Sequence, residues 1–396
     1  MTDFDVIFAG GGLVGAAAAV GLAQAGRRVA VIEVAERQAN HQPSYDDRTL
    51  VINAASLNIL QALGLLPERL ARTPVRRIRI TRSGGFGLLE LRAADHQREQ
   101  FGAVIVAREL GNVLLDALRH ESGITEVCPA RLETFTVNAD HVSVRLGDGR
   151  RIRTRLLVGA DGTRSMVRQI AGLPSQHHDY GQSAMIFNVR PGQAPADTAW
   201  ERFTPQGPLA LLPQPEGRLG VVWIDASSAI DTAMSWDDDT LLAHLNRRFG
   251  PSLGGFSQPG KRARYPLVRQ RTPRPVGERV AVIGNAANSV HPVSAQGFNL
   301  GLRDVAGLVE VLERHDDAGC AVALASYAER RFADQEATVR YTDTLARAFT
   351  NPSLLARASA GLGLAAHAVV PSLSRRLVQA AMGFREPVSR LTRKPG

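Results

Sequence analysis

The sequence contains little cysteine, and this scarcity argues against two classes of protein. Only Cys128 and Cys320 occur among its 396 residues, so we expect a reducing compartment such as the cytosol and no disulfide framework. Neither cysteine belongs to a Cys-x-x-Cys pair or to a Cys/His cluster. The sequence therefore indicates no metal site.

Long apolar runs are lacking as well. No run reaches the roughly 20 residues that a transmembrane helix needs, and the longest candidate, 358–371, is interrupted by two glycines and a histidine. The N-terminus leads into a predicted strand without a basic and then apolar leader, so no signal peptide is expected. These absences predict a cytoplasmic protein.

The formal net charge is +9, and it comes mostly from dispersed arginines. We find no nucleic-acid-binding motif among them, so the sequence predicts a solvated basic surface and no nucleic-acid partner. The C-terminal segment 373–396 is an exception, because one acid, Glu386, stands against six basic residues: Arg375, Arg376, Arg385, Arg390, Arg393 and Lys394. This segment predicts peripheral contact with anionic lipid at the inner face of the membrane or with acidic partner proteins.

A glycine-rich run follows the first predicted strand, DVIFA at 5–9. The run GGGLVG at 10–15 matches G-x-G-x-x-G, and an Ala-rich helix and a second apolar strand, 29–32, come after it. Gly10 permits the tight turn, Gly12 lets a pyrophosphate approach the backbone, and Gly15 lets helix and strand pack closely. The start of the helix also attracts anions.

An acid completes this pattern. Glu33 ends the second strand, 21 residues beyond Gly12. A carboxylate at this place accepts hydrogen bonds from both hydroxyls of an adenosine ribose, which favours FAD or NAD over NADP. The sequence therefore predicts a dinucleotide-binding β-α-β unit with parallel strands.

The rest of the chain predicts an α/β fold in which a strand-rich segment interrupts the dinucleotide-binding domain. Helices are predicted at 56–64, 110–119 and 301–314, strands at 75–80, 86–91, 142–146, 152–155, 156–159 and 280–283, and an antiparallel sheet over 183–225. We predict a discontinuous nucleotide-binding domain (1–73, 98–177 and 268–350), a substrate-binding sheet domain (74–97 and 178–267) and a C-terminal helical segment (351–396).

Two later stretches follow apolar strands and carry a specific resemblance. GADGTRSMVR at 159–168 and GNAANSVHP at 284–292, continued by AQGFNLGLRD at 295–304, resemble the second and third fingerprints of the flavoprotein aromatic hydroxylases related to p-hydroxybenzoate hydroxylase. The segments YDDR at 45–48, ERFT at 201–204 and GPLALLP at 207–213 are similar to the ubiquinone-biosynthesis branch, most of all the 2-polyprenyl-6-methoxyphenol hydroxylases. The likeness covers essentially the whole chain. It implies a Rossmann-like FAD-binding domain with an inserted antiparallel-sheet substrate domain.

The resemblance assigns roles position by position. It implies FAD contacts at Gly10, Gly12, Leu13, Val14, Gly15, Glu33, Arg48, Arg108, Asp161, Gly284, Asn285, Gly297, Phe298 and Asn299. Pro292, Gln296 and Gly297 correspond to the loop against the flavin ring, where backbone N–H groups stabilise negative charge and so contribute to catalysis. Plain alternatives stay open. Arg48 and Arg108 could be surface arginines, and Asp161 and Asn285 could simply cap helices.

The resemblance also implies the chemistry. NADPH or NADH reduces FAD, O2 adds to form a flavin C4a-hydroperoxide, and this species hydroxylates the phenol ring of a polyprenylated ubiquinone precursor. No second G-x-G-x-x-G occurs, so a separate Rossmann site for NAD(P)H is not expected; Arg164 and Arg168 are candidate contacts. Side chains such as Phe187, Phe203, Leu211 and Trp223 could line an apolar substrate tunnel, or be ordinary core.

Two other functions stay open from the sequence. One is a different flavoenzyme on this fold, either a phenol hydroxylase for soluble substrates or a prenyl-lipid reductase. The other is a non-catalytic subunit that keeps FAD and helps to assemble a ubiquinone-biosynthesis complex.

Overall fold

The computed structural model describes residues 2–36, 48–83, 88–350, 375, 378–384 and 389–393. Its strands are β1 Phe4–Ala9, β2 Val29–Ile32, β3 Thr49–Asn53, β4 Thr73–Val75, β5 Arg77–Arg82, β6 Leu88–Arg92, β7 Gly102–Val106, β8 Ile124–Val127, β9 Leu132–Val137, β10 Val142–Leu146, β11 Arg151–Gly159, β12 Gln176–Pro191, β13 Thr198–Thr204, β14 Gly207–Pro213, β15 Leu219–Ala226, β16 Phe256–Ser257, β17 Ala263–Arg271, β18 Val276–Gly277, β19 Val280–Val282 and β20 Asn288–Ser289. Its α-helices are α1 Leu13–Gln24, α2 Ala54–Ala62, α3 Ala107–His120, α4 Met166–Ile170, α5 Ser227–Met234, α6 Asp238–Phe249, α7 Gln296–Leu312 and α8 Ala321–Thr350.

The first sheet has the order β18-β19-β11-β1-β2-β8, and its strands from β19 to β8 run parallel. Both faces are covered, which suits strands that are apolar at every position. Val6 and Phe8 pack in a core with helices α1, α3 and α7, whereas Ile7 and Ala9 pack in a core with strands β9 and β10. The predicted parallel β-α-β unit is confirmed.

Strand β11 joins two arrangements that the sequence analysis separated. Its first half pairs antiparallel with β10, as the predicted hairpin around 147–149 requires. Its second half pairs parallel with β1, and the pairing ends at Ala9 and Gly159. The two strands predicted at 152–155 and 156–159 are thus one strand.

A second sheet of nine strands has the order β20-β17-β12-β15-β14-β13-β5-β6, with β16 beside β12. Its pairings are antiparallel, as predicted for 183–225, except that β13 runs parallel to β5. Helices α5 and α6 and the side chains of one sheet face form an apolar core. The opposite face lines a large cavity.

A third, three-stranded sheet has the order β3-β7-β4. The prediction of one continuous strand at 75–80 is wrong, because the chain passes there from the three-stranded sheet to the nine-stranded sheet. Val75 pairs with Gly102 on β7, whereas Arg77 pairs with Thr198 on β13. The N–H groups of Arg76 and Arg77 both donate to the carbonyl of Asp197 at the change.

Helix α2 begins at Ala54, two residues before the predicted start at 56. The side chain of Asn53 accepts a hydrogen bond from the N–H of Ser56, so Asn53 is the capping residue. The predicted Gly84-Gly85 turn between β5 and β6 lies outside the described residues, as does most of the C-terminal segment 351–396.

Two predicted domain boundaries fall inside strands, since β12 crosses position 177/178 and β17 crosses position 267/268. The division into domains therefore stays a proposal. Within the described part of the chain, no helix is long and apolar enough to cross a bilayer.

Candidate active site

One cavity of about 1080 Å³ brings the three glycine-rich stretches together with the nine-stranded sheet. The carboxyl ends of β1 and β11 open onto it, where a dinucleotide binds in folds of this kind. Two types of wall meet in it. The polar wall includes Gly10, Gly12, Glu33, Asp161 and Asn285, and the apolar wall is formed by side chains of β5, β6 and β12 to β15.

The glycine loop is as tight as its sequence predicts. Gly10 has φ +104°, and a Cβ atom placed on it would lie 2.5 Å from the carbonyl oxygen of Ala160. A Cβ atom on Gly15 would lie 2.1 Å from the carbonyl oxygen of Gly10, so α1 packs directly on the turn. The capping residue of α1 is Gly12, which has no side chain to accept from the first N–H groups of the helix, and the first turn holds no acid. This helix end offers an anion only backbone N–H groups and a positive partial charge.

Glu33 stands beside this loop at the end of β2. Its Oε2 accepts a hydrogen bond from the N–H of Gly11 at 2.8 Å, and its Oε1 accepts one from the N–H of Ala35 at 2.9 Å. These two bonds fix the carboxylate on the cavity wall next to the glycines. The position is suited to hold the ribose hydroxyls of an adenosine.

The second stretch places Asp161 five residues before α4, whose capping residue is Ser165. Oδ2 of Asp161 accepts hydrogen bonds from the N–H groups of Met166 and Val167, at 2.7 and 3.2 Å, so the simple capping role is present. Its Oδ1 is buried, and no described residue donates to it. Because a buried acceptor without a partner is costly, a donor from a ligand in the adjoining cavity would stabilise the site.

Arg168 has a structural position rather than the nicotinamide contact considered above. The residue is 3% exposed, and its guanidinium donates to the carbonyls of Thr163 and Ala286, both at 2.8 Å. It thereby joins the second stretch to the third. Arg164 does line the cavity.

The third stretch forms a turn with unusual backbone angles before α7. Ser294 and Ala295 adopt φ values of +63° and +49°, a conformation that costs free energy for residues other than glycine and is concentrated at functional sites. The helix then begins at Gln296 without any side-chain cap. Pro292, Gln296 and Gly297 line the cavity, so a second helix N-terminus opens onto it beside that of α1.

Val14 connects the first stretch to the third. Its side chain lies 3.1 Å from where a Cβ atom of Gly284 would be and 2.7 Å from where one of Gly301 would be. The N–H of Gly284 donates to Oδ2 of Asp304 at 3.2 Å. Larger residues at either glycine would therefore push the two stretches apart.

The predicted cofactor residues divide by position. The cavity is lined by Gly10, Gly12, Leu13, Val14, Glu33, Arg48, Asp161, Asn285, Gly297, Phe298 and Asn299. Gly15, Gly284 and Arg108 are not on its wall, and Arg108 lies 3.5 Å from the carboxylate of Glu109. The cofactor roles of all fourteen residues stay predictions, and the cavity wall supports those of the eleven that line it.

Asn299 has a more specific task than the sequence suggested. Its Oδ1 accepts from the N–H of Asn53, and its Nδ2 donates to the carbonyls of Val51 and Ala295. The side chain thus ties the end of β3 to the start of α7.

Of the four side chains proposed for a substrate tunnel, only Phe203 lines the cavity. Phe187, Leu211 and Trp223 belong to the core on the opposite face of the sheet, together with α5 and α6. Neighbouring positions point to opposite faces of a strand, and both faces here are apolar. The cavity face is formed instead by the adjacent residues Ile186, Ala210, Val222 and Ile224.

His291 is buried beneath this wall, between two residues that line the cavity. It is 1% exposed, its Nδ1 accepts from the N–H of Val293 at 3.2 Å, and its ring meets that of Tyr180 edge-on. No described residue pairs with its Nε2. Burial lowers the pKa of His291 from 6.5 to about 4, although Asp343 acts in the opposite direction. The imidazole is therefore neutral near pH 7.

Since His291 binds protons less readily in the folded state, protonation favours unfolding. We expect the contribution of this residue to the free energy of unfolding to fall by about 3 kcal/mol as the pH decreases from about 6.5 to about 4. Urea titrations of wild type and His291→Asn across this range measure it. The substitution should flatten the pH dependence, whatever its effect at pH 7; an unchanged slope would contradict the assignment.

The site fits FAD by its own geometry. The glycine cradle excludes any side chain where a pyrophosphate would approach, Glu33 stands at the ribose position, and Asp161 holds an unpartnered oxygen. The α7 N-terminus supplies N–H groups for the electronegative edge of a flavin. The cavity volume also exceeds what a small ligand alone would fill.

Comparison with known proteins agrees with this geometry. Residues 3–342 match the family described as FAD binding domain. The chain is 36% identical to the ubiquinone hydroxylase UbiL of Rhodospirillum rubrum, over 96% of this chain and 89% of that protein. It is 33% identical to the 3-demethoxyubiquinol 3-hydroxylase of Escherichia coli, over 96% of this chain and 98% of that protein.

Solved structures share the fold. PqsL of Pseudomonas aeruginosa, a probable FAD-dependent monooxygenase, has 23% identity and a TM-score of 0.77, covering 91% of this chain and 99% of that one. HpxO of Klebsiella pneumoniae, complexed with FAD and uric acid, has 21% identity and a TM-score of 0.73, covering 94% and 97%. The chain therefore belongs to the FAD binding domain family and is an FAD-dependent monooxygenase of the group that includes the ubiquinone hydroxylases.

Proposed function

We propose that this enzyme hydroxylates the phenol ring of a polyprenylated ubiquinone precursor of the 2-polyprenyl-6-methoxyphenol type, with NAD(P)H and O2 as co-substrates. One observation carries the proposal: the dinucleotide cradle and a wide apolar sheet face line the same cavity. The names of the relatives supply the pathway. An apolar wall suits a ring that bears a prenyl chain.

The residues of the chain have separate tasks in this proposal. The α1 N-terminus with Gly10 and Gly12 holds the pyrophosphate, and Gly15 lets α1 pack on that turn. Glu33 holds the ribose, and the α7 N-terminus with Pro292, Gln296 and Gly297 holds the flavin ring. Bound flavin supplies the oxygen-activating chemistry. The apolar side chains from β5, β6 and β12 to β15 keep water away from the reacting atoms.

We also propose that the substrate reaches the enzyme from a membrane surface. The support is the basic composition of segment 373–396, most of which lies outside the described residues. Arg390, which is described, is largely exposed and forms an ion pair with Glu313 at 2.8 Å. Binding to vesicles with and without anionic lipid tests this proposal.

The pathway is tested by the quinones of cells that carry Gly12→Glu. The new carboxylate would stand at the start of α1, where it repels a pyrophosphate. We expect loss of ubiquinone and accumulation of a polyprenyl-methoxyphenol, measured by liquid chromatography and mass spectrometry beside wild type. The accumulated compound identifies the blocked hydroxylation.

An unchanged quinone pool, in cells without a second such enzyme, would exclude the ubiquinone pathway. The enzyme would then act on other phenols or on another prenyl lipid. A different pair of results would indicate an assembly subunit. Gly12→Glu would again abolish ubiquinone, but the purified wild-type enzyme would not be reduced by NADH or NADPH, even with partner proteins.

A further inference from the structure

One carboxyl group stands in the apolar part of the cavity. Glu201 lies on β13 with Ala199 and Phe203 on the same face, and all three line the cavity. Its cross-strand partners are Ala210 on β14 and Ile80 on β5, which line the cavity too. Along the described part of the nine-stranded sheet, Glu201 is the one ionisable side chain on this wall.

The carboxyl of Glu201 has no partner within the described part of the chain. No hydrogen bond or ion pair reaches it from those residues, and burial alone raises its pKa to about 7. Its remaining accessibility is toward the cavity. Because a polar group in apolar surroundings is stabilised only when something pairs with it, this carboxyl lacks a partner that a ligand could supply.

Other titratable groups face the cavity from different elements. Helix α8 packs against β13 and β14 and contributes Tyr341, and the residue before β3 contributes Arg48. Toward the glycine loop, the wall also carries Glu33, Arg131, Asp161 and Arg164. On the strands beside Glu201, Arg79 and Arg202 occupy the alternate positions, whose side chains point to the opposite face.

We propose that Glu201 binds the phenolic hydroxyl of the aromatic substrate and accepts its proton during ring hydroxylation. This role rests on the proposed function. The phenolic O–H bond breaks, a new O–H bond forms on the Glu201 carboxylate, and the electron pair stays on the substrate oxygen. The ring carbons ortho and para to that oxygen thereby become richer in electrons and more reactive toward an electrophilic oxygen. The step transfers only a proton, and neither the phenol nor Glu201 is oxidised or reduced in it.

The carboxyl suits this task in two ways. A general base acts best when its pKa lies close to the working pH, and Glu201 meets that condition. A carboxylate in an apolar wall also distinguishes a phenol from its methyl ether, because only the phenol donates a hydrogen bond. Glu201 would thus orient the ring as well as activate it.

Binding of two small probes to the FAD-loaded enzyme tests the role without turnover. The probes are 2-methoxyphenol and its methyl ether 1,2-dimethoxybenzene, and quenching of flavin fluorescence measures their affinities. For wild type at pH 8, we expect the phenol to bind roughly tenfold more tightly than the ether. This preference should shrink as the pH falls through about 7, where the carboxylate becomes protonated.

Three variants complete the test. In Glu201→Gln the preference should be small and independent of pH, and in Glu201→Leu it should disappear. Glu133→Gln is the matched control, because Glu133 lies on the surface, where it pairs with Arg145, and it should behave as wild type. A purely structural role for Glu201 would leave the pH dependence of the preference in place.

In cells, Glu201→Gln should slow hydroxylation by about 10²- to 10⁴-fold and accumulate the same precursor as Gly12→Glu, while the purified variant retains its FAD. If the probes bind but Glu201→Leu keeps the wild-type preference, the role of Glu201 is overturned and the hydroxylase function stands. If wild type does not bind the phenol, the role is overturned as well, and the quinone profile then decides the proposed function by itself.

Discussion

Gly10→Ala should leave the protein folded but weaken its binding of FAD. The added methyl group would lie 2.5 Å from the carbonyl oxygen of Ala160, and both atoms belong to short backbone turns that side-chain motion cannot relieve. The φ of +104° adds strain for any residue with a Cβ atom. We expect the dissociation constant for FAD to rise by at least about tenfold, since one lost or displaced contact of ~1.4 kcal/mol has that effect.

The matched control for this variant is Gly26→Ala. Gly26 also has a positive φ, +80°, but a Cβ atom there meets nothing within 4 Å. The control therefore introduces backbone strain but no collision of the kind that Gly10→Ala makes with the carbonyl oxygen of Ala160. Flavin absorbance per protein, together with circular dichroism, separates loss of cofactor from loss of fold. Equal FAD content in the two variants would contradict a close approach of cofactor and backbone at Gly10.

Asp334→Ala should cause the largest loss of stability. Oδ2 of Asp334 accepts hydrogen bonds from Nε of Arg303 and Nη2 of Arg331, both at 2.7 Å, and all three side chains are at most 6% exposed. Burial acts to raise the pKa of Asp334, but the two arginines outweigh it and hold that pKa well below its usual range. Removing the carboxylate leaves Arg303 buried without an acidic partner and takes from Arg331 one of its two acidic partners, which costs about 3–5 kcal/mol.

A surface pair provides the comparison for this prediction. Asp231 and Arg264 approach to 2.6 Å, but their side chains are 59% and 33% exposed. Asp231→Ala should therefore change the free energy of unfolding by less than about 1 kcal/mol. Urea unfolding followed by far-ultraviolet circular dichroism gives both values. Similar midpoints for the two variants would show that the buried cluster is not what holds α7 to α8.

The buried cluster also supports the cofactor loop. Arg331 donates to Oδ1 of Asp304 at 2.9 Å, and Oδ2 of Asp304 accepts from the N–H of Gly284. The third glycine-rich stretch is therefore braced from behind by charged groups on α7 and α8. Asp304 is the last residue of the third glycine-rich stretch, and this bracing gives it a structural role.

What the sequence predicted well is local. The strand at 29–32, the glycine loop and the acid at position 33 lie within one short segment, so their order alone predicts the turn and a dinucleotide. The start of α7 was harder to predict from the sequence. The helix begins at Gln296 rather than at 301, and its capping residue is Ala295, which gives no capping signal in a sequence.

What the sequence predicted poorly depends on distant parts of the chain. The strand at 75–80 reads as continuous, but its two parts find partners more than twenty residues away in different sheets. The tunnel residues Phe187, Leu211 and Trp223 were assigned to the wrong face for a related reason. A strand that is apolar on both faces does not reveal which face adjoins a core and which a cavity.

Glu201 was quoted within a family motif and given no task. A signal existed, since a single acid at the position between Ala199 and Phe203 interrupts an apolar face at strand spacing. It could be recognised only once that face was known to line a cavity. Alternate residues along β13 face two different environments: Ala199, Glu201 and Phe203 face the cavity, and Trp200 faces the core with α5 and α6.

That alternation separates two properties of the sheet, its stability and its ligand binding. In each central strand of the nine-stranded sheet, alternate side chains face either the core with α5 and α6 or the cavity. Substitutions at Ile186, Ala210 or Val222 can reshape the ligand space while leaving the packing of Phe187, Leu211 and Trp223 intact. Because the two faces contact different groups, a substitution on the cavity face is expected to change ligand binding with little effect on the free energy of unfolding.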